Sequence, residues 1–320
     1  MLKSKRPAKM GIDDLLGNFN PESILKVKKI IFEGVGDKDV YNVSAPFTNN
    51  AREYIAGRVE SREHDLDSRI VFFVKERENE QSITYIVDKK AQILDLQDPF
   101  FSVIDKRFIM GGVKFPLTAS GGFMTIFYRG DTVFNLEKFA QGPVGMKDIR
   151  MVQCGDKIHI FTRPQGAIGG LGRIGFMSLD SIESLPRLKD EHYVSAPLLN
   201  LPVKDQLWVG SNQVLVLKNG NLGVLGHVAC VSNSSEKNYY PMVFQLNLMT
   251  KEVSGMKIIA RREDLPEGAT KNQNLKNVIF PGGLIRQSNG TAKLYAGASD
   301  AEAYEITIKD PFLDYDGQNI

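Results

Sequence analysis

From Lys26 onward the chain is a succession of short apolar segments broken by Gly, Asn, Asp and Pro, and that punctuation rules out most folds. KVKKIIFEGV, EYIAGRVE, SRIVFFVKE, SITYIVD, RFIMGGVKF, GFMTIFYRG, KIHIFTRP, GRIGFMSL, NQVLVLKNGNLGVLGHVAC, MVFQLNL, EVSGMKIIA, NVIFPGGLIRQ and AKLYAGASD all have strand length and composition. Short strands separated by turn residues predict an all-β sandwich, barrel or propeller. Helical signals are few: Ile12 to Leu16, Pro21 to Leu25 with proline at a first turn, and Ser178 to Leu188. Asn219-Gly220 predicts a type I′ hairpin turn, because both residues accept positive φ.

Polar turns stand at strand starts at Tyr41-Asn42, Gln97-Asp98, Lys147-Asp148, Ser211-Asn212 and Phe280-Pro281, at spacings of 56, 50, 64 and 68 residues. Units of this length, each with room for about four strands, predict a five-bladed β-propeller whose first strands bring the turns to a central axial pocket. Two stacked sandwiches are the competing arrangement, and they would scatter the turns. Asp98 is held in an Asp-Pro-Phe turn, where proline fixes φ and lacks an N–H, so its carboxyl belongs at the rim of a sheet. An Asp in that position can also do no more than hydrogen-bond its own turn.

The length of 320 residues suffices for one sizeable β domain, expected over residues 28–320 with residues 1–27 as an N-terminal extension. That extension could cap a blade or reach a neighbouring subunit, which leaves homo-oligomerisation open. A net charge of +2, with no basic stripe after MLKSKRPAK, argues against nucleic acid as a partner. No apolar run reaches the roughly 18 residues of a spanning helix and no signal-peptide core is present, so no membrane partner and a cytoplasmic location are expected. Cys154 and Cys230 alone supply neither a disulfide framework nor a zinc spacing. His64, Asp65 and Asp67 fit a solvated turn better than a metal site, and His159 and His192 lack ligand spacing to His227, so no metal and no cofactor is expected. GAIGGLGRIG lacks the strand-then-helix context of a phosphate cradle and is expected to be a flexible hairpin connection near the pocket. Trp208 suits either a sugar-stacking platform or a core or blade-interface aromatic.

Five motifs in order carry a family resemblance. YNVSAPF with AGRVESREHDLDSRIVFF, then LQDPFFSVIDKRFIMGGV, MKDIRMVQCGDKIHIFTRPQG, LWVGSNQVLVLKNGNLGVLGHVA, and NVIFPGGL with LYAGASDAEA span about Asp39 to Asp300. The chain resembles the five-bladed mannoside phosphorylases of glycoside hydrolase family 130. It is more similar still to the β-1,2-mannosyltransferase/phosphorylases of glycosyltransferase family 108, formerly a domain of unknown function. It departs from the hydrolase-family pattern at Gln97-Asp98-Pro99-Phe100, where Glu-Asp-Pro-Arg stands there, and at Gly226-His227, where Tyr-His stands. Both departures favour the transferase/phosphorylase branch.

The resemblance implies an inverting enzyme on short β-1,2-linked mannose oligosaccharides, with Asp98 as proton donor. Inorganic phosphate would be co-substrate and α-mannose 1-phosphate the product, or in reverse the donor, with a sugar nucleotide as the other donor type. An inverting glycosidase needs two carboxylates, whereas phosphate is itself the nucleophile and needs one acid plus cations. Lys147, Arg150, Arg163 and His227 are the expected phosphate ligands, and Asn42, Arg58, Glu60, Asp148, Gln165, Asn212 and Asp300 the expected mannose ligands. A non-catalytic sugar- or protein-binding propeller stays open as a second class, because a fold does not choose a function. The third is an inverting hydrolase with Asp148 or Asp300 as base.

Overall fold

Ile70 to Val74 are buried at five consecutive positions, so the strand Arg69–Glu78 is covered on both faces rather than one. The same density of buried positions recurs in Arg52–Glu60, Leu222–Val231 and Thr291–Ala298, which demands sheets stacked against sheets. The computed structural model describes residues 8–232 and 234–316. Its fold is all-β, with curled sheets and α-helices of only four to six residues, such as Ile12–Gly17. Among the described residues no helix is long and apolar enough to cross a membrane.

Successive strands form antiparallel groups. The first holds Asp39–Tyr41, Arg52–Glu60, Arg69–Glu78 and Ser82–Val87, and the second Gln97–Ile104, Arg107–Lys114, Met124–Gly130 and Glu137–Gln141. The third has Arg150–Cys154, Lys157–Thr162 and Gly175–Leu179, and the fourth Trp208–Val216, Leu222–Val231, Lys237–Leu246 and Val253–Ile258. The last joins Ile279–Arg286, Thr291–Ala298 and Glu302–Lys309 to the early strand Ile24–Glu33. Among the described residues there are four sheets instead of five, because Ile24–Glu33 also pairs in parallel with Ser82–Val87 and fuses the first and last groups into a nine-stranded sheet. The N-terminal strand thereby ties the end of the chain to its beginning.

A hydrophobic cluster fills each junction between neighbouring groups. Phe72 and Met110 belong to the first junction, Phe127 and Ile160 to the next, Phe161 and Phe244 to the third. Val243 and Ile306 lie in the fourth, and Phe73 and Tyr295 join the last group to the first. The opening strands Gln97–Ile104, Arg150–Cys154, Trp208–Val216 and Ile279–Arg286 lie against one another at the centre.

Local expectations fare unevenly. Ile12 to Leu16 is helical, but Pro21–Ser23 is a single 3-10 turn that stops where Ile24 pairs with Ile308. Ile182–Arg187 is likewise 3-10. The hairpin at Asn219-Gly220 is present, yet its turn is not type I′: only Gly220 has positive φ (79°), in a loop closed by Leu217 N donating to Asn221 O at 2.9 Å. The physical reason is the Asn219 side chain, which donates to Gln245 Oε1 at 2.8 Å and Tyr315 O at 2.9 Å and so fixes a longer loop. The glycine-rich GAIGGLGRIG does connect two antiparallel strands, with one helical turn at Gly166–Gly169.

Candidate active site

Three of the five expected turns place an Asn or Asp in the left-handed region: Asn42 (φ 44°), Asp98 (φ 51°) and Asp148 (φ 60°). Short polar side chains tolerate this conformation, and it turns them out of the strand's ordinary alternation. Asp98 sits in a β-bulge, since the register with Arg107–Lys114 slips between Gln97 and Phe100. Similar slips occur between Ser211 and Gln213 and between Pro281 and Gly283. Bulges re-aim side chains at sheet ends, and here they aim them into the centre of the molecule. Glycines make the room: a Cβ on Gly297 would lie 2.4 Å from Asn42 Oδ1, and one on Gly210 2.5 Å from the His227 ring.

The result is a cavity of about 470 Å³, within the range of small-molecule sites. Asn42, Arg58, Asp98, Lys147 and Asp300 line it, each brought from a distant part of the chain. Asp98 Oδ1 accepts from Asn42 Nδ2 at 2.9 Å and from Arg58 Nη1 at 3.1 Å. Burial alone would raise the Asp98 carboxyl, but Arg58, Lys147 and the Asn42 amide outweigh it and hold the group below its ordinary value. Asp300 goes the other way: burial, reinforced by Asp98 and opposed by Arg58, raises its carboxyl. The two carboxyls of this cavity are thus shifted in opposite directions from their ordinary value.

Glu60 lies behind this surface, fully buried. It accepts from Arg58 Nε at 2.9 Å and forms hydrogen bonds or ion pairs with Tyr41, Ser68 and Lys271. Its contact is with the cations of the cavity, so it positions Arg58 and Lys271. Gln165 is exposed, bonds Leu171 O at 3.0 Å and does not line the cavity. Trp208 packs edge-on against Tyr239 at 5.5 Å, within its own strand group, and does not line the cavity as an open platform would.

Asp148, Arg150, Arg163, Asn212 and His227 form a second, buried group behind the cavity wall made by Tyr239 and Phe280. The His227 ring lies 5.5 Å from Tyr239 and 5.2 Å from Phe280. Arg163 Nη1 pairs with Asp148 Oδ2 at 3.2 Å, and Arg150 Nε donates to Asn212 O at 2.8 Å while its guanidinium covers Phe100 at 3.7 Å. His227 Nδ1 is 2.8 Å from Asn212 Oδ1. Asp148 is held down at about 2, because Arg163, Lys147 and His227 outweigh its burial. Burial, with the nearby Arg163, Lys147 and Arg150, outweighs Asp148 and pushes His227 down to about 3, so its ring is neutral at neutral pH.

This neutrality has a measurable sign. Between pH 6.5 and about 3 the unfolded chain takes up a proton that folded His227 refuses, so stability falls as pH drops through that window. His159, lowered by burial, adds in the same direction. The urea midpoint of His227→Gln is therefore expected to fall less between pH 7 and pH 5 than that of the wild type; equal slopes would show that His227 titrates normally.

Sequence reasoning missed Lys237, Tyr239 and Lys271, which line the cavity with Phe115, Phe123 and Phe280. Lys147 and Lys237 have no hydrogen-bond or ion-pair partner among the described residues, which leaves two free ammonium groups there. The alternation Lys237-Asn238-Tyr239 at a strand start was the one available signal, since it puts both side chains on one face. Glu63, His64 and Asp65 also line the cavity, while Asp67 pairs with Lys38 at 2.6 Å. Among the described residues no group of His, Cys, Asp or Glu is placed to hold a metal ion.

The chain as a whole is similar to several proteins of known structure. A mannose phosphorylase from Leishmania mexicana, solved in complex with phosphate ion, is 29% identical, with 96% of this chain and 94% of that one covered and a TM-score of 0.84. A GDP-Man-dependent mannosyltransferase from the same organism is 27% identical, with 93% and 94% covered and a TM-score of 0.81. The β-1,2-mannobiose phosphorylase of Listeria innocua, at 14% identity, 88% and 93% coverage and a TM-score of 0.60, shares the fold. No curated protein matches the chain. The family model described as "Protein of unknown function (DUF1861)" matches residues 18–314, and the chain belongs to that family, whose fold it shares with the mannose phosphorylases and mannosyltransferases that its motifs resemble.

Proposed function

We propose that this chain is a mannose-specific glycoside phosphorylase/transferase that inverts at the anomeric carbon of short β-1,2-linked mannose oligosaccharides. Residues 28–320 would form a single five-bladed propeller, with 1–27 as an extension, working in the cytoplasm. The junction clusters between all neighbouring strand groups support the propeller. The observation that carries the function is a single cavity lined by Asp98, hydrogen-bonded by Asn42 and Arg58, and by Lys147 and Lys237, which have no ion-pair partner among the described residues.

In this reading Asp98 supplies the proton to the glycosidic oxygen, through a sugar hydroxyl, while a phosphate oxygen attacks the anomeric carbon from the opposite face. The bond from that carbon to the leaving oxygen breaks with its electron pair on oxygen, and the bond to phosphate forms. Lys147 links the two events. It helps hold Asp98 ionised in the free protein, and a phosphate dianion seated on it would cancel that field and raise the proton affinity of Asp98. Arg150, Arg163 and His227 would contribute from behind the wall, with Asp148 and Asn212 fixing them. Asn42, Arg58 and Asp300 would contact mannose directly; Glu60 would act through Arg58, and Gln165 from outside the cavity.

The mannosyltransferase neighbour favours a second donor, a sugar nucleotide, and the exposed Lys237 would take an outer phosphate of it. Incubation with β-1,2-mannobiose, with and without phosphate, tests the reading. Phosphate-dependent loss of the disaccharide is expected; phosphate-independent release of mannose would identify a hydrolase, and retained binding without turnover a binding protein.

A further inference from the structure

Three carboxyls, Glu60, Asp98 and Asp300, lie with the cations Arg58 and Lys271 in one part of the site, and Lys147 acts on Asp98 as well. Both cations are already used. Arg58 directs Nε and Nη2 to Glu60 Oε2 at 2.9 and 2.8 Å and Nη1 to Asp98 Oδ1 at 3.1 Å, and Lys271 Nζ pairs with Glu60. Asp98 has the Asn42 amide as well. Asp300 has no hydrogen-bond or ion-pair partner among the described residues, although it lines the same cavity.

Its backbone, by contrast, is fixed. Ser299 and Asp300 both take left-handed conformations, φ 53° and 50°. Ser299 N donates to Val278 O at 2.8 Å, its carbonyl accepts from Lys271 N at 3.0 Å, and its hydroxyl accepts from Arg262 Nε at 3.0 Å and donates to Lys276 O at 2.8 Å. The backbone thus carries the Asp300 carboxyl on the cavity lining, beside two paired carboxylates and with no hydrogen-bond donor to it among the described residues.

We propose that Asp300 is a neutral carboxylic acid in the ligand-free protein and donates a hydrogen bond to an oxygen of the bound mannoside. A carboxylic acid kept neutral near pH 7 is a known way of making a donor from an acidic residue. The groups facing it are Tyr41 and the pair Arg58 and Glu60 from the first strand group, Asp98 from the second, and Lys271 from the loop before Ile279. Burial acts on it in the same sense, with Asp98 and Glu60 reinforcing and Arg58 and Lys271 opposing.

The identity of the sugar rests on the phosphorylase reading; the protonation state does not, and the experiment separates them. In infrared difference spectra of ligand-free protein at pH 7, the wild type is expected to show a protonated-carboxyl stretch that Asp300→Asn lacks. Absence of that band overturns the proposal whatever the enzyme acts on. In phosphorolysis of β-1,2-mannobiose, Asp300→Asn retains a donor in a residue type that tolerates positive φ, and its kcat/KM is expected to fall clearly less than that of Asp300→Gly. Asp300→Gly, free of backbone strain but without the donor, is expected to fall roughly 10- to 100-fold. The donor is present below the Asp300 pKa and lost as pH rises through it, so the wild type declines on the alkaline side where Asp300→Asn stays level. Asp300→Asn as impaired as Asp300→Gly would mean an ionised acceptor and would overturn the proposal. A wild type inactive on mannobiose would count against the phosphorylase reading and leave the infrared result to decide.

Discussion

Asp98→Asn is expected to lower phosphorolysis of β-1,2-mannobiose by about 10²- to 10⁴-fold, the range for removing a general acid, with the loss in kcat rather than in KM. The substitution is nearly isosteric. Asn tolerates the left-handed backbone of this position, and its Oδ1 can still accept from Asn42 and Arg58, so fold and sugar binding are expected to survive. Only the transferable proton is gone. A mannoside with a good leaving group, whose departure needs no proton, should be far less impaired. If Asp98→Asn handled the disaccharide at wild-type rates, the acid would have to be sought at Asp300.

Glu60→Gln is expected to destabilise the protein by about 3 kcal/mol, the scale for breaking a buried ion pair from one side. Glu60 has no exposed surface, and removing its charge leaves Arg58 with Asp98 alone and Lys271 with no ion-pair partner among the described residues. In a chain of 320 residues this corresponds to a fall in Tm of about 5 °C. Burial raises the Glu60 carboxyl, but Arg58, Lys271, Ser68 and Tyr41 outweigh it and lower it. The stability it contributes is therefore present above the ordinary carboxylate pKa and lost as pH falls through the lower folded value. Glu60→Gln should lack that acid-side loss, so its Tm and that of the wild type converge as pH drops. Parallel curves would show that Glu60 is not the anchor described. Because Arg58 also holds Asp98, turnover should fall with stability, whereas Tyr41→Phe, which removes one neutral donor, should cost about 1 kcal/mol.

Legibility in the sequence followed the range of the interactions. Strands and turns were readable because Gly, Pro, Asn and Asp act locally; Asn42, Asp98 and Asp148 could be picked out because these side chains mark strained turns at strand starts. The type of the Asn219 turn was not readable, since it depends on Gln245 and Tyr315, strands away. Lys271 and Lys237 escaped for the same reason: one sits in an irregular loop, the other after a serine-rich turn, and only the packing of strand groups brings them to Asp98. The fusion of the first and last groups needed Ile24–Glu33 to serve two neighbours at once, which no local pattern announces.

Proton NMR of the anomeric signals during incubation with β-1,2-mannobiose and inorganic phosphate tests the central claim most directly. The account predicts α-mannose 1-phosphate as the first sugar phosphate, its appearance dependent on phosphate and suppressed in Asp98→Asn. Release of β-mannose 1-phosphate, or of free mannose at the same rate without phosphate, would contradict it.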